Sequence, residues 1–148
     1  DLPAFRAPSW MQPSGLMRNS ARTRLSLVVP VYNEAESIAL FLDAIHRIFA
    51  SQTGLDVELV FVNDGSQDDT LDRLLESQGK DARIKIVDLS RNFGKEAALS
   101  AGLQVATGEV IVPIDVDLQD PPELIPAMLE KWREGYEAPH YPQVAAVP

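Results

Sequence analysis

The sequence contains no cysteine and only two histidines, His46 and His140, in 148 residues. The lack of cysteine excludes a disulfide framework, thiolate zinc sites and cysteine nucleophiles, and two histidines so far apart argue against a histidine-rich metal site. No apolar run approaches the roughly 20 residues that a membrane-spanning helix needs. We therefore expect this chain, taken by itself, to be soluble.

Positive charge is also scarce, because 13 Lys and Arg residues face 22 Asp and Glu residues, for a net charge of -9. Residues 1–24 hold four Arg and one Asp, so the remainder of the chain carries nine basic and 21 acidic residues. An acidic balance argues against non-specific binding of nucleic acid, which depends on Lys and Arg neutralising phosphates. The acidic remainder requires an explanation, and a bound cation is one candidate.

The chain divides into three segments. Residues 1–24 mix Pro, Ser, Gly and Arg without an apolar period and are predicted to be a disordered leader, with no apolar stretch typical of a signal peptide. Over residues 25–136, short β-branched runs alternate with polar loops and helical patterns, the runs covering 25–31, 57–62, 84–89 and 109–115. Connections of this length imply right-handed crossovers and a parallel sheet, hence an α/β Rossmann-like half-domain. Residues 137–148, rich in Pro, are predicted to be an irregular tail.

Apolar spacing predicts four helices. The first has Ile38, Leu42, Ile45 and Phe49 on its inner face, with Asn33 and Glu36 as a capping pair. The second lies near 70–77 and is capped by Asp68 or Asp69, and the third lies near 95–107 and packs closely through Ala, Leu99, Leu103 and Val105. The fourth begins at 120–123, and its inner face consists of Ile125, Met128, Leu129 and Trp132.

Four loops follow the predicted strands, at 30–36, 62–70, 89–96 and 115–123, and all of them are polar. In open parallel sheets, ligands bind beyond the carboxyl ends of the strands, where these loops converge. Neither G-x-G-x-x-G nor G-x-x-x-x-G-K-[ST] is present. A ligand at this edge is therefore not held on a glycine-rich phosphate turn.

The most informative stretch is Asp115-Val116-Asp117-Leu118-Gln119. In extended backbone, residues two apart point the same way, so Asp115, Asp117 and Gln119 are expected to offer oxygen ligands on one side. Such ligands suit Mg²⁺ or Mn²⁺. An EF-hand is rejected, because its sixth position would be Asp120 and its twelfth Pro126. The competing interpretation is that the two Asp residues only cap turns.

The other loops leave the same choice between a local and a functional role. Asp64 before Gly65 is typical of an ordinary turn, and residues 32–34 suit a helix start. Arg91 and Lys95 are either solvated surface charges or cations facing a diphosphate. Polar sets in every loop at one sheet edge favour a binding site there.

Five blocks in order carry a family resemblance: VVPVYNEAESI, ELVFVNDGSQDDT, LSRNFGKEAALSAGL, ATGEVIVPIDVDLQDPPELI and KWREGY. Together they resemble family 2 glycosyltransferases of GT-A fold over about residues 25–136. The similarity is greatest to the polyprenyl-phosphate branch, which includes bactoprenol glucosyltransferases and dolichol-phosphate mannose synthases. The resemblance implies the nucleotide-binding N-terminal half of that fold.

The resemblance also implies roles for individual residues. Nucleotide-sugar binding falls to Pro30, Tyr32 and Glu34, to Val62 and Asp64 at the base or ribose, to Lys95, and to Asp115, Val116 and Asp117 at the diphosphate. Metal binding, with Mg²⁺ or Mn²⁺ as the cofactor, falls to Asp115, Asp117 and Gln119. The family usually reads D-A-D where this chain has Val116, whose larger side chain is expected to crowd the nucleotide slightly.

The implied reaction transfers a hexose from a nucleotide sugar to a polyprenyl phosphate such as undecaprenyl phosphate, with UDP-glucose favoured over GDP-mannose as donor. Family members continue well past this chain, so the later catalytic residues and the C-terminal membrane helices have no counterpart here. We expect a truncated or frame-shifted donor-binding half that is inactive alone, from a protein acting at the cytoplasmic side of the cell membrane. The alternatives are a non-catalytic nucleotide-binding remnant and a nucleotidyltransferase, although the latter would need a glycine-rich basic loop after the first strand.

Overall fold

The computed structural model of the chain describes residues 12–13, 22–119 and 121–137. Its elements in chain order are β1 (Gln12–Pro13), β2 (Thr23–Val31), α1 (Ile38–Ala50), β3 (Leu55–Asn63), α2 (Thr70–Lys80), β4 (Ile84–Asp88), α3 (Lys95–Val105), β5 (Val110–Pro113), α4 (Leu124–Arg133) and β6 (Tyr136–Glu137). Four strands form a sheet in the order β4-β3-β2-β5, and each neighbouring pair is parallel. The predicted Rossmann-like α/β class is confirmed.

Alternating side chains of the strands build a core on each face of the sheet. On one face, strand residues such as Leu27 and Phe61 pack with the inner faces of α1 and α4, including the predicted Ile45 and Trp132. The rings of Phe41 and Phe61 meet edge to face at 5.9 Å between centroids. All eight predicted inner-face residues of α1 and α4 are buried, so those two predictions are confirmed.

On the other face, α3 lies directly on the sheet. Ala98 and Gly102 are its buried residues, and a Cβ added at Gly102 would come within 2.4 Å of Val28 Cγ1. Val105 is 40% exposed, so the prediction that it packs inward was wrong. Small side chains rather than large ones let this helix approach the strands closely.

The strand β2 begins at Thr23, inside the segment predicted to be a disordered leader. Within that segment, Gln12–Pro13 also pairs antiparallel with Tyr136–Glu137, which reaches into the predicted tail. Residues 1–11 and 14–21 of the leader and 138–148 of the tail lie outside the described residues. None of the helices in the described part of the chain is long and apolar enough to cross a membrane.

Two predicted helix starts differ from the structure. Ser37, not Asn33, is the N-terminal cap position of α1. Asn33 adopts a left-handed conformation with φ 50°, which Asn tolerates, and its Oδ1 accepts the N–H of Gln67 at 2.8 Å. The capping-pair prediction was wrong because this side chain binds the next loop instead. The fourth helix starts at Leu124, after a turn in which the Leu124 N–H donates to the Pro121 carbonyl.

Candidate functional site

A cleft of about 570 Å³ opens at the carboxyl ends of the parallel strands. Its lining combines the loops after β2, β3, β4 and β5, which places residues from four distant parts of the chain around one space. Nine of the residues predicted from sequence line it: Pro30, Tyr32, Glu34, Asp64, Lys95, Asp115, Val116, Asp117 and Gln119. Three further lining residues, Val31, Asn92 and Gly94, were not singled out from the sequence.

Val62 is the predicted binding residue that does not line this cleft. Its side chain is fully buried in the apolar cluster beneath α3, together with Val28 and Val60. A Cβ at Gly102 would lie 3.0 Å from Val62 Cγ2, which shows how tightly the helix covers it. The role of Val62 at the base or ribose stays a prediction.

The acidic stretch after β5 is a turn rather than extended backbone. The strand ends at Pro113, the Leu118 N–H lies 3.5 Å from the Asp115 carbonyl oxygen, and Leu118 has φ 60°. The expectation that Asp115, Asp117 and Gln119 alternate along an extended strand was therefore wrong. The turn nevertheless brings all three to the same cleft.

The charges of that turn are partly compensated within the chain. Lys95 Nζ lies 2.7 Å from Asp115 Oδ1, and the two side chains are 61% and 35% exposed. Asp117 is exposed, and its Oδ1 accepts the Gln119 N–H at 3.2 Å. One carboxylate of this turn is thus ion-paired, and the other belongs to an exposed residue.

Two carboxylates and one amide oxygen fit a divalent cation that keeps open positions for other oxygen ligands. They do not form an all-protein cage, since no group of three or more His, Cys, Asp or Glu able to hold a metal ion occurs among the described residues. A magnesium-like ion here would take its remaining ligands from water and from phosphate oxygens of a bound ligand. The donor set is therefore compatible with the predicted cofactor.

Asp64 lies at the floor of the cleft and is only 3% exposed. Its carboxylate accepts the backbone N–H of Phe93 at 2.8 Å and of Gly94 at 3.1 Å, and the Asn92 side-chain amide at 3.3 Å. Its own N–H donates to the Val31 carbonyl at 2.9 Å. The end of β3 is thereby tied to the loop that precedes α3.

Further hydrogen bonds join the loops after β2 and β3. The N–H of Asn33 donates to Ser66 Oγ at 2.9 Å, and the N–H of Glu34 donates to Thr70 Oγ1 at 3.0 Å. Asp68 also accepts the N–H of Thr70, and hydrogen bonds from Thr70 lower the pKa of the Asp68 carboxyl below its usual value. The bonds of Asn33 and Glu34 to the next loop were not predicted from sequence, although Asn, Ser and Thr clustered in loops are a signal for them. Asp68 was predicted as one of two candidate caps of the second helix, and the cap position of α2 is the other candidate, Asp69.

An exposed aromatic ring stands at the mouth of the cleft. Tyr32 is 45% exposed and also lines a neighbouring cleft of about 590 Å³, which extends past Asn63, Asp88 and Arg91. The Arg91 guanidinium lies 4.2 Å from the centroid of the Phe93 ring. The edge of the sheet therefore offers a stacking surface next to a polar cleft.

A larger cavity, of about 640 Å³, lies elsewhere, between α1 and α2. None of the residues predicted for ligand or metal binding lines it. Three of its ionisable residues are already engaged with one another, since hydrogen bonds from Arg83 lower the pKa of Asp81, which also contacts His46 at 3.0 Å. Chemistry rather than size therefore identifies the cleft at the strand ends as the candidate site.

The chain is similar to several known proteins. The family model described as glycosyl transferase family 2 matches residues 26–144, which is most of the chain. The prophage bactoprenol glucosyl transferase homolog of Escherichia coli K12 is 49% identical over 112 residues, covering 76% of this chain and 36% of that protein. The bactoprenol glucosyl transferase of Shigella phage SfX is 47% identical over the same coverage.

An uncharacterized glycosyltransferase of Synechocystis, sll0501, is 51% identical over 116 residues, covering 76% of this chain and 35% of that protein. The chain thus spans about a third of the length of the curated relatives it matches.

Solved structures agree with the fold. A mannosyltransferase from Pyrobaculum calidifontis, solved with GDP-Man and Mn²⁺, superposes with a TM-score of 0.62 at 27% identity, covering 80% of this chain and 34% of that chain. Glucosyl-3-phosphoglycerate synthase from Mycobacterium tuberculosis, solved with Mn²⁺, UDP and glucosyl-3-phosphoglycerate, gives 0.56 at 29% identity, covering 74% and 39%. The GT-A-like architecture predicted from sequence is confirmed.

Proposed function

The chain belongs to glycosyl transferase family 2, and from this we propose that it is the donor-binding part of an enzyme that transfers a hexose to a polyprenyl phosphate. The observation that carries the proposal is the convergence of nine predicted binding residues on one cleft at the carboxyl ends of the parallel strands. UDP-glucose is the favoured donor, because relatives named bactoprenol glucosyl transferase are close to half identical to this chain. GDP-mannose is the alternative, in keeping with the ligand of the Pyrobaculum enzyme.

The cleft suits a nucleoside diphosphate chemically. Tyr32 presents an exposed ring on which a base can stack. Lys95 supplies positive charge for phosphate oxygens, and the turn at Asp115 and Asp117 supplies oxygen ligands for a cation between the protein and the diphosphate. Both the base and the diphosphate thus have complementary groups within one cleft.

A bound Mg²⁺ or Mn²⁺ would supply Lewis-acid neutralisation of the charge that develops on the departing nucleoside diphosphate. Asp115, Asp117 and Gln119 would hold it. The acceptor phosphate has a second pKa near 6 and is largely ionised at neutral pH, so it needs less help from a general base than a hydroxyl would. The residues of this chain therefore act chiefly by binding and orienting the donor. The full-length protein would act at the cytoplasmic side of the cell membrane, where a polyprenyl phosphate is present.

The test is calorimetric titration of UDP and of GDP into this chain, each with and without Mn²⁺. We expect Mn²⁺-dependent binding, stronger for UDP. Asp117→Ala should weaken it about tenfold or more, since a contact to a charged group contributes about 1.5 to 3 kcal/mol. Glu76→Ala is the matched control, because it removes an exposed carboxylate of α2 whose partner is Lys80 one turn away.

The control variant should bind UDP as the unchanged chain does. If the folded chain binds neither nucleotide in the presence of Mn²⁺, the proposed function is wrong. Stronger binding of GDP would instead favour the mannosyl donor.

A further inference from the structure

The acidic turn after β5, residues 114–119, alternates between apolar side chains at the core and polar side chains at the cleft, although its backbone is not extended. Its apolar residues belong to the core cluster shared with α1 and α4, or pack against that cluster: Ile114, Val116 and Leu118. Its polar residues line the cleft: Asp115, Asp117 and Gln119. Within residues 115–119, Leu118 is the one that does not line the cleft.

Leu118 has a backbone conformation that leucine rarely adopts. Its φ is 60°, and Asn33 is the other non-glycine residue with a positive φ in the described part of the chain. Asn tolerates left-handed backbone, whereas for a bulky residue such as Leu this conformation is unfavourable and persists only when the surroundings hold it. The Leu118 N–H lies 3.5 Å from the Asp115 carbonyl oxygen, too far for a strong hydrogen bond. We therefore attribute the restraint mainly to the packing of the Leu118 side chain on the core.

The conformation of Leu118 determines how its two neighbours lie relative to each other. The Gln119 N–H donates to Asp117 Oδ1 at 3.2 Å, across Leu118. Rotation of Leu118 into the ordinary right-handed region would redirect the chain on its C-terminal side and separate Gln119 from Asp117. Two of the three predicted metal ligands therefore depend on the backbone of a residue that is seated on the core.

We propose that Leu118 is a positioning residue of the acidic turn: its side chain, packed on the core, holds the left-handed backbone that keeps Asp117 and Gln119 at one cleft. Its effect on the backbone is a property of the free chain, and its effect on a bound cation rests on the function proposed above. The predicted ligand set is unchanged, and Leu118 is added as the residue that orients it.

Proton NMR of the free chain tests the backbone part without a metal. In left-handed backbone near φ 60°, the amide proton and the α proton of one residue eclipse each other and give a strong nuclear Overhauser effect. We expect this signal at Leu118 in the wild-type chain. In Leu118→Ala the anchoring side chain is truncated, so the signal should fall to the strength seen at Asp117, whose φ is not positive.

Paramagnetic titration of Mn²⁺ tests the effect on the ligands. Leu118→Ala should weaken Mn²⁺ binding about fivefold, because only the fraction of chains with the native turn then binds. Leu118→Gly should weaken it less, about twofold, because glycine adopts a positive φ without strain although it lacks the anchoring side chain. Leu118→Met keeps a flexible apolar side chain of similar volume and should bind within about twofold of the wild type.

Leu55 provides the matched control. It packs partly buried against the same core cluster, but it lies at the start of β3, does not line the cleft and has no positive φ. Leu55→Ala should lower stability and leave Mn²⁺ affinity unchanged. Leu55→Gly should be less stable than Leu55→Ala, whereas at position 118 the glycine variant should be the more stable of the two. This reversal distinguishes a backbone role from a mere loss of apolar contact.

A weak signal at Leu118 in the wild-type chain would overturn the positioning role, and so would wild-type Mn²⁺ affinity in a folded Leu118→Ala. Weaker Mn²⁺ binding by Leu118→Gly than by Leu118→Ala would overturn it as well, because loss of apolar contact would then explain both. Should Leu118→Ala not fold, Leu118→Met must still bind Mn²⁺ more tightly than Leu118→Gly, and the opposite order would refute the anchor. If the wild-type chain binds no Mn²⁺, the proposed metal site fails, while the NMR signal of Leu118 and its loss in Leu118→Ala still decide whether the side chain holds the turn.

Discussion

Glu58 and Asp64 lie six residues apart on and just after β3 and are almost equally buried, at 2% and 3% exposure, yet their surroundings differ. Glu58 sits toward the start of the parallel strands, where Lys85 and Arg24 reach it and Ser26 and Thr107 donate hydrogen bonds to it. Asp64 sits at the other end, where its carboxylate contacts come from a loop. One end of the sheet balances charge with cations, and the other holds a loop beside a cleft.

The difference indicates which end of the sheet has carboxylates available to a ligand. Burial alone would raise the pKa of Glu58, but hydrogen bonds from Lys85, Ser26 and Thr107 outweigh it and lower that pKa to about 2. Both carboxylate oxygens of Glu58 are thus engaged by neighbouring side chains and backbone. At the other end, Asp115 is partly exposed and Asp117 is exposed, and only Asp115 has a lysine partner among the contacts described. We infer that the starts of the strands stabilise the fold, while their ends bind the ligand.

The largest expected effect comes from Glu58→Gln, which keeps the volume and removes the charge. Lys85, Arg24 and the hydroxyl donors would then face an amide, so the stabilisation that accompanies the lowered pKa of Glu58, on the order of 3 kcal/mol, would be lost. Urea denaturation should show a fall of that size in the free energy of unfolding. Asp56→Asn is the control, since Asp56 also pairs with Arg24 but is 48% exposed, and it should cost about 1 kcal/mol or less. An equal loss in both variants would contradict the proposed difference.

The same carboxylate predicts an acid dependence. The folded-state pKa of Glu58 is about 2, below the ordinary 4.5, so the unfolded chain takes up the proton first as the pH falls. Its stabilising contribution is present above about pH 4.5 and is lost as the pH approaches about 2, with a total on the order of 3 kcal/mol. The gap in unfolding free energy between the wild-type chain and Glu58→Gln should therefore narrow across this range. A gap that stays constant with pH would refute the assignment.

At the carboxyl ends of the strands, Gly65→Ala should have an intermediate effect on the free energy of unfolding. The new Cβ would meet the Asn92 backbone nitrogen at 2.2 Å, and φ 72° is unfavourable for Ala, so we expect a loss of about 2 kcal/mol. The control is Gly79→Ala in α2, where an added Cβ meets nothing within 4 Å and helix propensity should stabilise the chain by about 0.5 kcal/mol. Thermal or urea unfolding of the two variants should give opposite signs. Destabilisation by both would remove the argument for a close approach at Gly65.

The sequence could predict the sheet and the location of the site because both follow from local pattern and topology. β-branched runs give the four strands, and parallel strands carry their following loops to one edge, so Tyr32, Asp64 and Asp117 could be expected near each other. Side-chain partners distant in sequence could not be predicted. Asp64 accepts groups 28 to 30 residues away, and Glu58 in the run VELVFV meets Thr107, 49 residues on.

Local turns were the second feature that could not be predicted from the sequence. Leu118 and Asn33 adopt positive φ values, which non-glycine residues rarely do, so an extended stretch and a helix cap were predicted in their place. In both cases the turn changes the groups that the neighbouring side chains contact. The residues of the turn still lie at the predicted edge of the sheet.

The smallest expected effect concerns Lys95, whose pair with Asp115 is largely exposed and worth about 0.2 to 1 kcal/mol. In Lys95→Gln, a competing cation leaves Asp115, so Mn²⁺ alone should bind up to about fivefold more tightly, while UDP with Mn²⁺ should bind more weakly. Lys85→Gln removes one of the two cations that contact Glu58 instead and should lower stability without changing Mn²⁺ affinity. Paramagnetic titration of Mn²⁺, with and without UDP, measures the affinity for Mn²⁺ alone and for Mn²⁺ together with UDP. If Lys95→Gln weakened Mn²⁺ binding as well, Lys95 would be a fixed partner like those of Glu58, and the two ends of the sheet would not differ in this respect.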